Sequence, residues 1–221
     1  TDTPPTRRAG SPALPEIEVG DRPIGLAVSP VEAVAYVYNL LSRDVSFVDL
    51  NGLNEIHRVA VTPQTGEPLA PRELLGARIF HSSADPRIAE NAKVGCASCH
   101  INGEHDGRKW GFHRLPGRHG PRDTPSLLGL GLTLGPKDPV TGWGQLHVSG
   151  DRDEIQDFEH TFQGPTMGGT GFIGAGVQPE LGLPNAGLDA DLDAVATYLL
   201  SLDPIMRSPY RESGGSLSEA A

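Results

Sequence analysis

The hydrophobic pattern of the chain changes after its first third. Short runs rich in β-branched and aromatic residues lie at 24–28, 35–38, 45–48 and 56–61, with Pro, Asn, Asp or Gly between them. Runs of this length, separated by turn residues, are typical of antiparallel strands. The sequence therefore predicts a small sheet of about four strands over 22–62.

Helical spacing of apolar residues follows a stretch that is punctuated by proline. The segments 72–80 and 149–162 each have one apolar face, and Ser149 or Asp151 can cap the second of them. The clearest helix spans 189–203, with Asp as its first residue and cap and with a proline directly after it. Long loops should connect these helices.

Composition limits what these elements can pack against. The chain has 28 Gly and 20 Pro among 221 residues, and only 37% of its residues are hydrophobic and 5% aromatic. Such a chain buries little apolar surface of its own and gains from an internal apolar object to pack around. We expect an extended arm (1–20), a blade-like sheet (21–65), a helical domain (66–208) and a flexible tail (209–221).

The charge of the chain excludes one class of partner. The formal net charge is −10 and the isoelectric point is near 5.2, so the phosphates of nucleic acid would be repelled. Basic residues cluster in 108–122, whereas 151–203 is acidic with Arg152 as its only cation. Each region is either a solvated face or a docking surface. No run of about 18 apolar residues occurs, so no transmembrane segment is expected.

Both cysteines of the chain belong to one short motif. Cys96-Ala-Ser-Cys99-His100 has the C-x-x-C-H form of a haem c attachment site. Two thiols three positions apart on a nascent helix can each add to one haem vinyl group, and the adjacent His then becomes the proximal iron ligand. The motif predicts one covalent haem c, bound by Cys96, Cys99 and His100.

Three other uses of the cysteine pair fit the sequence less well. A disulfide would leave His100 without a role, and a thioredoxin-like redox pair belongs near a βαβ pattern that is absent here. A zinc site would need His113 or His119 as its fourth ligand, at an unusual spacing. Haem attachment gives a role to both thiols and to the histidine.

The predicted sheet also has the residue order of a known repeat. This order is Arg22-Pro-Ile-Gly-Leu-Ala-Val-Ser-Pro30, then Ala35-Tyr-Val-Tyr-Asn39, then Asp44-Val-Ser-Phe-Val-Asp49. It resembles one repeat of the YVTN-type β-propeller family, over about 40 residues, the usual length of one blade. No second copy occurs in the sequence, and one blade cannot bury both of its faces. We expect it to pack on the helical domain or on a partner.

Four further motifs occur in order along the rest of the chain. They are Gly76-Ala-Arg-Ile-Phe80, Gly95-Cys-Ala-Ser-Cys-His100, Arg122-Asp-Thr-Pro-Ser-Leu-Leu128 and Gly150-Asp-Arg-Asp-Glu154. Together they resemble the haem domains of the bacterial di-haem cytochrome c peroxidase family and its propeller-fused relatives, over about residues 70–205. The resemblance implies a mainly α, cytochrome c-like fold with long loops, and electron transfer or peroxide chemistry. Those peroxidases use two haems, whereas this chain has one haem motif.

An iron that only transfers electrons needs a sixth ligand, and a Met thioether opposite His raises its reduction potential. Met167 lies in a Gly-rich loop before the last helix, the order that the resemblance implies for the ligand, whereas Met206 follows that helix. Met167 is therefore the predicted ligand. His147, in a loop after Trp143, is the alternative among the histidines, and an open iron is the remaining one.

Haem propionates carry negative charge and need hydrogen-bond donors where they are partly buried. Arg122, which lies in one of the four motifs, and Trp110, through its indole N–H, are the candidate donors. Trp110 is equally compatible with a role in the core. The acidic residues of 151–157 could bind calcium, but capping and solvation explain them more simply, so no metal is predicted there.

These motifs predict a single-haem c-type cytochrome that carries electrons between redox partners. Two alternatives remain open: a peroxidase-like haem enzyme with a displaceable sixth ligand, and a haem-bearing structural subunit of a larger assembly. The expected partner is a redox protein or a multi-subunit electron-transfer assembly. Because haem is attached covalently outside the cytoplasm, the resemblance implies a periplasmic, extracellular or cell-surface location.

Overall fold

The computed structural model describes residues 15–61, 66–90, 94–111, 121–133 and 146–202. The chain divides into two compact units, one ending at Gly66 and the other beginning at Glu67. Most of the expected N-terminal arm and all of the expected C-terminal tail lie outside the described residues.

The first unit contains an antiparallel meander of four strands. In chain order they are β1 (Pro23–Val28), β2 (Val34–Asn39), β3 (Asp44–Asp49) and β4 (Asn54–Ala60). Each strand pairs with its neighbour in sequence, and the β1–β2 and β3–β4 pairings each contain one irregularity in register. The sheet predicted from the hydrophobic pattern is confirmed.

The two faces of this sheet differ in chemistry. Tyr36, Phe47 and His57 form an aromatic row across β2, β3 and β4, with successive ring centroids 5.0 and 5.4 Å apart. On the opposite face, Asn39 is fully buried and donates from its side-chain amide to Asp44 Oδ1 at 2.6 Å. This difference fixes the register, because a shift of one residue would exchange the two faces.

The second unit carries short helices and one small hairpin. Its α-helices are α1 (Pro71–His81), α2 (Leu130–Thr133), α3 (Glu159–Gln163) and α4 (Ala190–Ser201). Its 3₁₀ turns are Cys96–Ser98, Ile101–Gly103, Ile155–Phe158 and Gly174–Gly176. Strand β5 (Lys109–Gly111) pairs with antiparallel β6 (Pro121–Asp123). Within the described ranges, no helix is both long enough and apolar enough to cross a membrane.

The prediction that the fold is mainly α is wrong. Helices account for only 28% of the described part of the chain, and two sheets accompany them. The two longest α-helices, α1 and α4, have 11 and 12 residues. Between these short elements, the described part of this unit is loop, which contains many Gly and Pro residues and which polar side chains such as Glu159 hold through hydrogen bonds to its backbone.

The helix expected over 149–162 is shorter than predicted and begins later. It consists of the 3₁₀ turn Ile155–Phe158 followed by the five residues of α3. Ser149 and Asp151 lie before this start, and their side-chain oxygens are 2.8 and 2.7 Å from Nδ1 of His147. Ser149 and Asp151, the predicted caps, therefore contact the ring of His147 and do not cap the helix.

Helices α1 and α4 pack against each other at close range. Gly76 of α1 faces the backbone of Ala194, and an added Cβ would overlap the Ala194 carbonyl oxygen and lie 2.8 Å from Cβ of Tyr198. Asp189 caps α4, as predicted, by accepting hydrogen bonds from two backbone N–H groups of its first turn at 3.0 and 2.8 Å. The close packing therefore depends on glycine at position 76.

Three buried carboxylates hold the long loop between α3 and α4. Glu159, which is 0% exposed, accepts hydrogen bonds from the N–H groups of 172–174 at 2.9, 2.9 and 3.2 Å. Glu154 and Asp157 accept from 185–186 near the other end of the loop, at 3.1 and 2.9 Å. These carboxylates therefore bind backbone and side-chain amides.

Candidate functional site

Residues 96–100 form one tight turn. The N–H groups of His100 and Cys99 donate to the carbonyl oxygen of Cys96, at 2.9 and 3.3 Å. The turn follows Gly95, where an added Cβ would overlap the carbonyl oxygen of Ser82, directly after α1. The two thiols and the imidazole are thus presented together, next to the end of α1.

Both cysteines in this turn are free thiols. Burial raises the pKa of Cys96 to about 12, and burial also raises the pKa of Cys99. A redox-active dithiol depends on a thiolate, which a lowered pKa favours. Burial thus gives neither thiol the lowered pKa that a redox-active dithiol uses.

The imidazole of His100 is oriented by two backbone carbonyls. Its Nδ1 lies 3.0 Å from the carbonyl oxygen of Pro125 and 3.3 Å from that of Glu104. Carbonyl oxygens only accept hydrogen bonds, so Nδ1 carries the proton and Nε2 keeps its lone pair. Burial lowers the pKa of His100, although both carbonyls oppose this shift. A neutral imidazole with Nδ1 so held is the form that binds a metal through Nε2.

The loops that supply these acceptors are tied to each other. The N–H of Leu127 donates to the carbonyl oxygen of Gly103 at 2.7 Å, which joins the segment after Pro125 to the 3₁₀ turn after His100. Gly103 has φ +79°, and an added Cβ would lie 2.9 Å from the Leu202 side chain. This position therefore needs glycine for both its conformation and its space.

The two candidate propionate donors lie opposite each other on the β5–β6 hairpin. Trp110 pairs with Arg122, and both side chains are exposed. The indole N–H of Trp110 donates to Oδ2 of Asp106 at 2.9 Å. Trp110 is thus neither a core residue nor a free donor, and the assignment of both residues to propionates stays a prediction.

Sequence reasoning missed two residues of this site, Pro125 and Asp106. Pro125 lies in one of the four motifs, but a backbone carbonyl acceptor leaves no mark on the pattern of side chains. Asp106 precedes Gly107, which has φ +69°. An Asp-Gly pair signals a turn, and that is the only local signal by which Asp106 could have been noticed.

Met167, the predicted sixth ligand, is half-buried in a loop that is fixed by its backbone. Its carbonyl oxygen accepts from the N–H of Glu90 at 2.9 Å, and its own N–H donates to Gly164 at 3.2 Å. Gly169 packs so closely on the segment around Arg87 that an added Cβ would overlap the Arg87 carbonyl oxygen. The loop thus lies beside the segment that precedes the cysteine motif, and the ligand role of Met167 stays a prediction.

His147, the alternative ligand, is held differently. It has φ +69°, a conformation that is uncommon for a residue other than glycine. Its Nδ1 faces Asp151 Oδ1 at 2.7 Å, and its ring lies edge-on to Phe158 with centroids 5.7 Å apart. A carboxylate on Nδ1 leaves Nε2 available as a ligand, so His147 keeps its place as the alternative.

Four residues that the sequence suggested for metal or haem binding, or for the loop near the iron, lie outside the described part of the chain. They are His113 and His119, the candidate zinc ligands, together with Trp143 and Met206. Within the described ranges, no cluster of three or more His, Cys, Asp or Glu side chains could hold a metal ion.

The residues of this turn fit a covalent haem. The donor set agrees with such a group, because both thiols are free and lie within one turn. The neighbouring imidazole has Nδ1 occupied by Pro125 and Nε2 available. Cys96, Cys99 and His100 therefore have the chemistry that haem c attachment requires.

Comparison with known proteins adds little to this picture. No protein-family model and no curated protein matches the sequence. Among solved structures, the chain is similar to hydrazine synthase from Kuenenia stuttgartiensis, in a structure pressurised with xenon, at 23% identity and a TM-score of 0.33. The match covers 75% of this chain and 54% of that chain, so this chain spans about half of its length. A similarity of this size assigns neither fold nor function.

Proposed function

We propose that the chain is a c-type cytochrome that carries one haem and transfers electrons. The observation that carries this proposal is the state of His100, whose Nδ1 is held by Pro125 at 3.0 Å while the thiols of its own turn stay free. A histidine held in this way is prepared to bind iron through Nε2. The spacing of the two cysteines supports covalent attachment to the same cofactor.

In this proposal the residues of the turn have separate roles. Cys96 and Cys99 would hold the haem through two thioether bonds, each made by addition of a thiol across one vinyl group, with the hydrogen placed on the neighbouring carbon and no oxidant needed. His100 is the proximal ligand, and Pro125 fixes its orientation. The bound haem would supply one-electron redox chemistry. Met167 is the proposed sixth ligand, and Arg122 and Trp110 remain the proposed donors to the propionates.

A redox protein or a multi-subunit electron-transfer assembly is the proposed partner. The basic cluster within 108–122 and the acidic stretch 151–203 give such a partner two oppositely charged regions of sequence to recognise. We also propose a location outside the cytoplasm, because covalent haem attachment takes place there.

The test is to produce the protein in a host that attaches haem c and to extract it with acid and organic solvent. Haem should stay with the polypeptide, because thioether bonds survive conditions that release a haem held only by its axial ligand. Cys96→Ser and Cys99→Ser should each lower haem incorporation. Extraction of all pigment into the organic phase would contradict the proposal.

Optical spectra then separate carrier from enzyme. A six-coordinate, low-spin iron that does not respond to peroxide fits an electron carrier. Rapid reaction of the resting protein with peroxide, followed by turnover with a reductant, would instead support a peroxidase-like enzyme.

A further inference from the structure

The carboxylate of Asp106 connects the loops around His100 through hydrogen bonds. It accepts hydrogen bonds from the N–H of Arg108 (3.0 Å), the indole N–H of Trp110 (2.9 Å) and the hydroxyl of Thr124 (3.1 Å). The first two donors lie directly before and within β5, and Thr124 directly follows β6. One carboxylate therefore joins both strands of the hairpin.

Asp106 and its partner Thr124 are close in sequence to the two backbone carbonyls that accept hydrogen bonds from His100. Thr124 is followed by Pro125, whose carbonyl oxygen lies 3.0 Å from His100 Nδ1. On the other side, Asp106 follows Glu104 by two residues, and the carbonyl oxygen of Glu104 lies 3.3 Å from the same nitrogen. Pro125 thus directly follows a residue that Asp106 holds, and Glu104 lies in the same short segment as Asp106.

Asp106 also brings a negative charge to this place. Burial works to raise its pKa, but the hydrogen bonds from Arg108, Trp110 and Thr124 outweigh burial and lower it. Asp106 is therefore an anion at neutral pH. The charge lies six residues after His100, in the segment that also contains the acceptor Glu104.

We propose that Asp106 is a positioning residue for the proximal ligand, an inference that rests on the proposed haem function. By holding Thr124, it fixes the Pro125 carbonyl and strengthens the hydrogen bond that His100 donates from Nδ1. A stronger bond makes the imidazole a better electron donor to iron, which favours the oxidised form. The charge of Asp106 acts in the same direction, so Asp106 lowers the reduction potential.

The first test compares two variants that each remove one negative charge, one just before the β5–β6 hairpin and one at the end of β6. Asp106→Asn should raise the ferrous-to-ferric ratio at a fixed ambient potential at least threefold, about 28 mV at about 59 mV per tenfold change. Asp123→Asn is the matched control, because Asp123 is exposed at the end of β6. Asp123→Asn should change the ferrous-to-ferric ratio by less than half as much as Asp106→Asn does. Equal ratios in the two variants would overturn the proposal.

A second pair of variants separates position from charge. Thr124→Val removes the hydroxyl but keeps the charge of Asp106, whereas Thr124→Ser keeps both the hydroxyl and the charge. Thr124→Val should raise the potential and speed hydrogen exchange of the His100 Nδ1 proton, measured by NMR. Thr124→Ser, which keeps the hydroxyl that donates to Asp106, should match the parent in both measurements. If Thr124→Val changes neither the potential nor the exchange rate, the positioning role is wrong.

Failure of this inference is distinguishable from failure of the proposed function. A parent protein that binds no covalent haem contradicts the function. Exchange of the His100 Nδ1 proton can still be measured in haem-free protein, where Asp106→Asn and Thr124→Val should both accelerate it at least threefold. Covalent haem in the parent, with unchanged potential and exchange in both variants, contradicts only the role of Asp106.

Discussion

The carboxylate of Glu159 accepts a hydrogen bond from the backbone N–H of Phe172 at 2.9 Å, although Glu159 is completely buried. The same carboxylate accepts from the next two N–H groups and from the side chain of Gln163, which is 2.6 Å away. A buried charge is tolerated where several donors surround it. Glu159 thus shows how a loop-rich unit replaces helical hydrogen bonds with side-chain contacts.

Glu159→Gln is expected to destabilise the second unit by about 3 kcal/mol, because hydrogen bonds to a charged acceptor are lost and an NH₂ group then faces backbone donors. Chemical denaturation followed by circular dichroism measures the change. Glu90→Gln is the matched control, because Glu90 is exposed in the same unit. It should change the free energy of unfolding by less than about 0.5 kcal/mol. Equal stability of the two variants would contradict the role given to Glu159.

Gly76→Ala is expected to destabilise the protein by about 2 kcal/mol, through overpacking where α1 meets Ala194. The direction of this change in stability is informative, because Gly→Ala within a helix normally stabilises the helix by about 0.5–1 kcal/mol. Gly176→Ala is the control, because an added Cβ there would lie 3.7 Å from the nearest side-chain atom, that of Ile173. Thermal unfolding should place Gly76→Ala below the parent and Gly176→Ala close to it. A Gly76→Ala protein as stable as the parent would show that the helices can separate at no cost.

Asp85 gives a prediction for the dependence of stability on pH. It receives hydrogen bonds from the guanidinium of Arg87 at 2.8 to 3.2 Å and from the Arg87 N–H at 2.9 Å. Burial works to raise the pKa of Asp85, but these bonds lower it overall. A carboxyl whose pKa is lower in the folded state contributes stability above its unfolded pKa of about 3.9 and loses it as the pH falls through the folded value.

Asp85→Asn should therefore cost about 1–2 kcal/mol at pH 7, and the difference from the parent should shrink below about pH 4. Urea unfolding at pH 7, 5 and 3 measures this. The difference at pH 5 should match that at pH 7, because Asp85 is ionised in both states at both values. A difference that stays constant down to pH 3 would show that the charge of Asp85 is not what stabilises the fold.

The sheet was predictable from the sequence, whereas the helical content was not. Short runs of β-branched and aromatic residues, such as those around Tyr36 and Phe47, indicate strands directly when turn residues separate them. The apolar spacing of 149–162 indicated a helix, and the structure divides that segment into a 3₁₀ turn and the short α3. The carboxylates of this segment bond across long sequence separations, which no local period reveals.

The candidate site was likewise only partly predictable from the sequence. Cys96, Cys99 and His100 were recognisable as candidates because the covalent haem attachment that we propose requires this spacing. Pro125 and Asp106 were not, since one acts through its carbonyl oxygen and the other through contacts made by folding. A motif reports which atoms react, whereas the residues that orient those atoms depend on the fold.

Met167 gives the last prediction. Two methionines exist in the chain, and Met167 lies in the Gly-rich loop that the backbone bonds to Glu90, shortly before the cysteine motif. Gly168 and Gly171 have φ of +68° and +76°. This left-handed conformation lets the loop turn sharply directly after Met167 and again three residues later. We therefore expect its sulfur to be the sixth ligand of the iron.

Replacing Met167 with His should lower the reduction potential by on the order of 0.1 V, because imidazole favours ferric iron more than a thioether does. Met167→Ala should leave the iron with an open position, which appears as a high-spin spectrum and as reaction with peroxide. Met206→Ala, which removes the other methionine, should match the parent in spectrum and potential. If Met167→Ala matches the parent and His147→Ala produces the high-spin, peroxide-reactive iron instead, the sixth ligand is His147, because its Nδ1 contact with Asp151 already leaves Nε2 available.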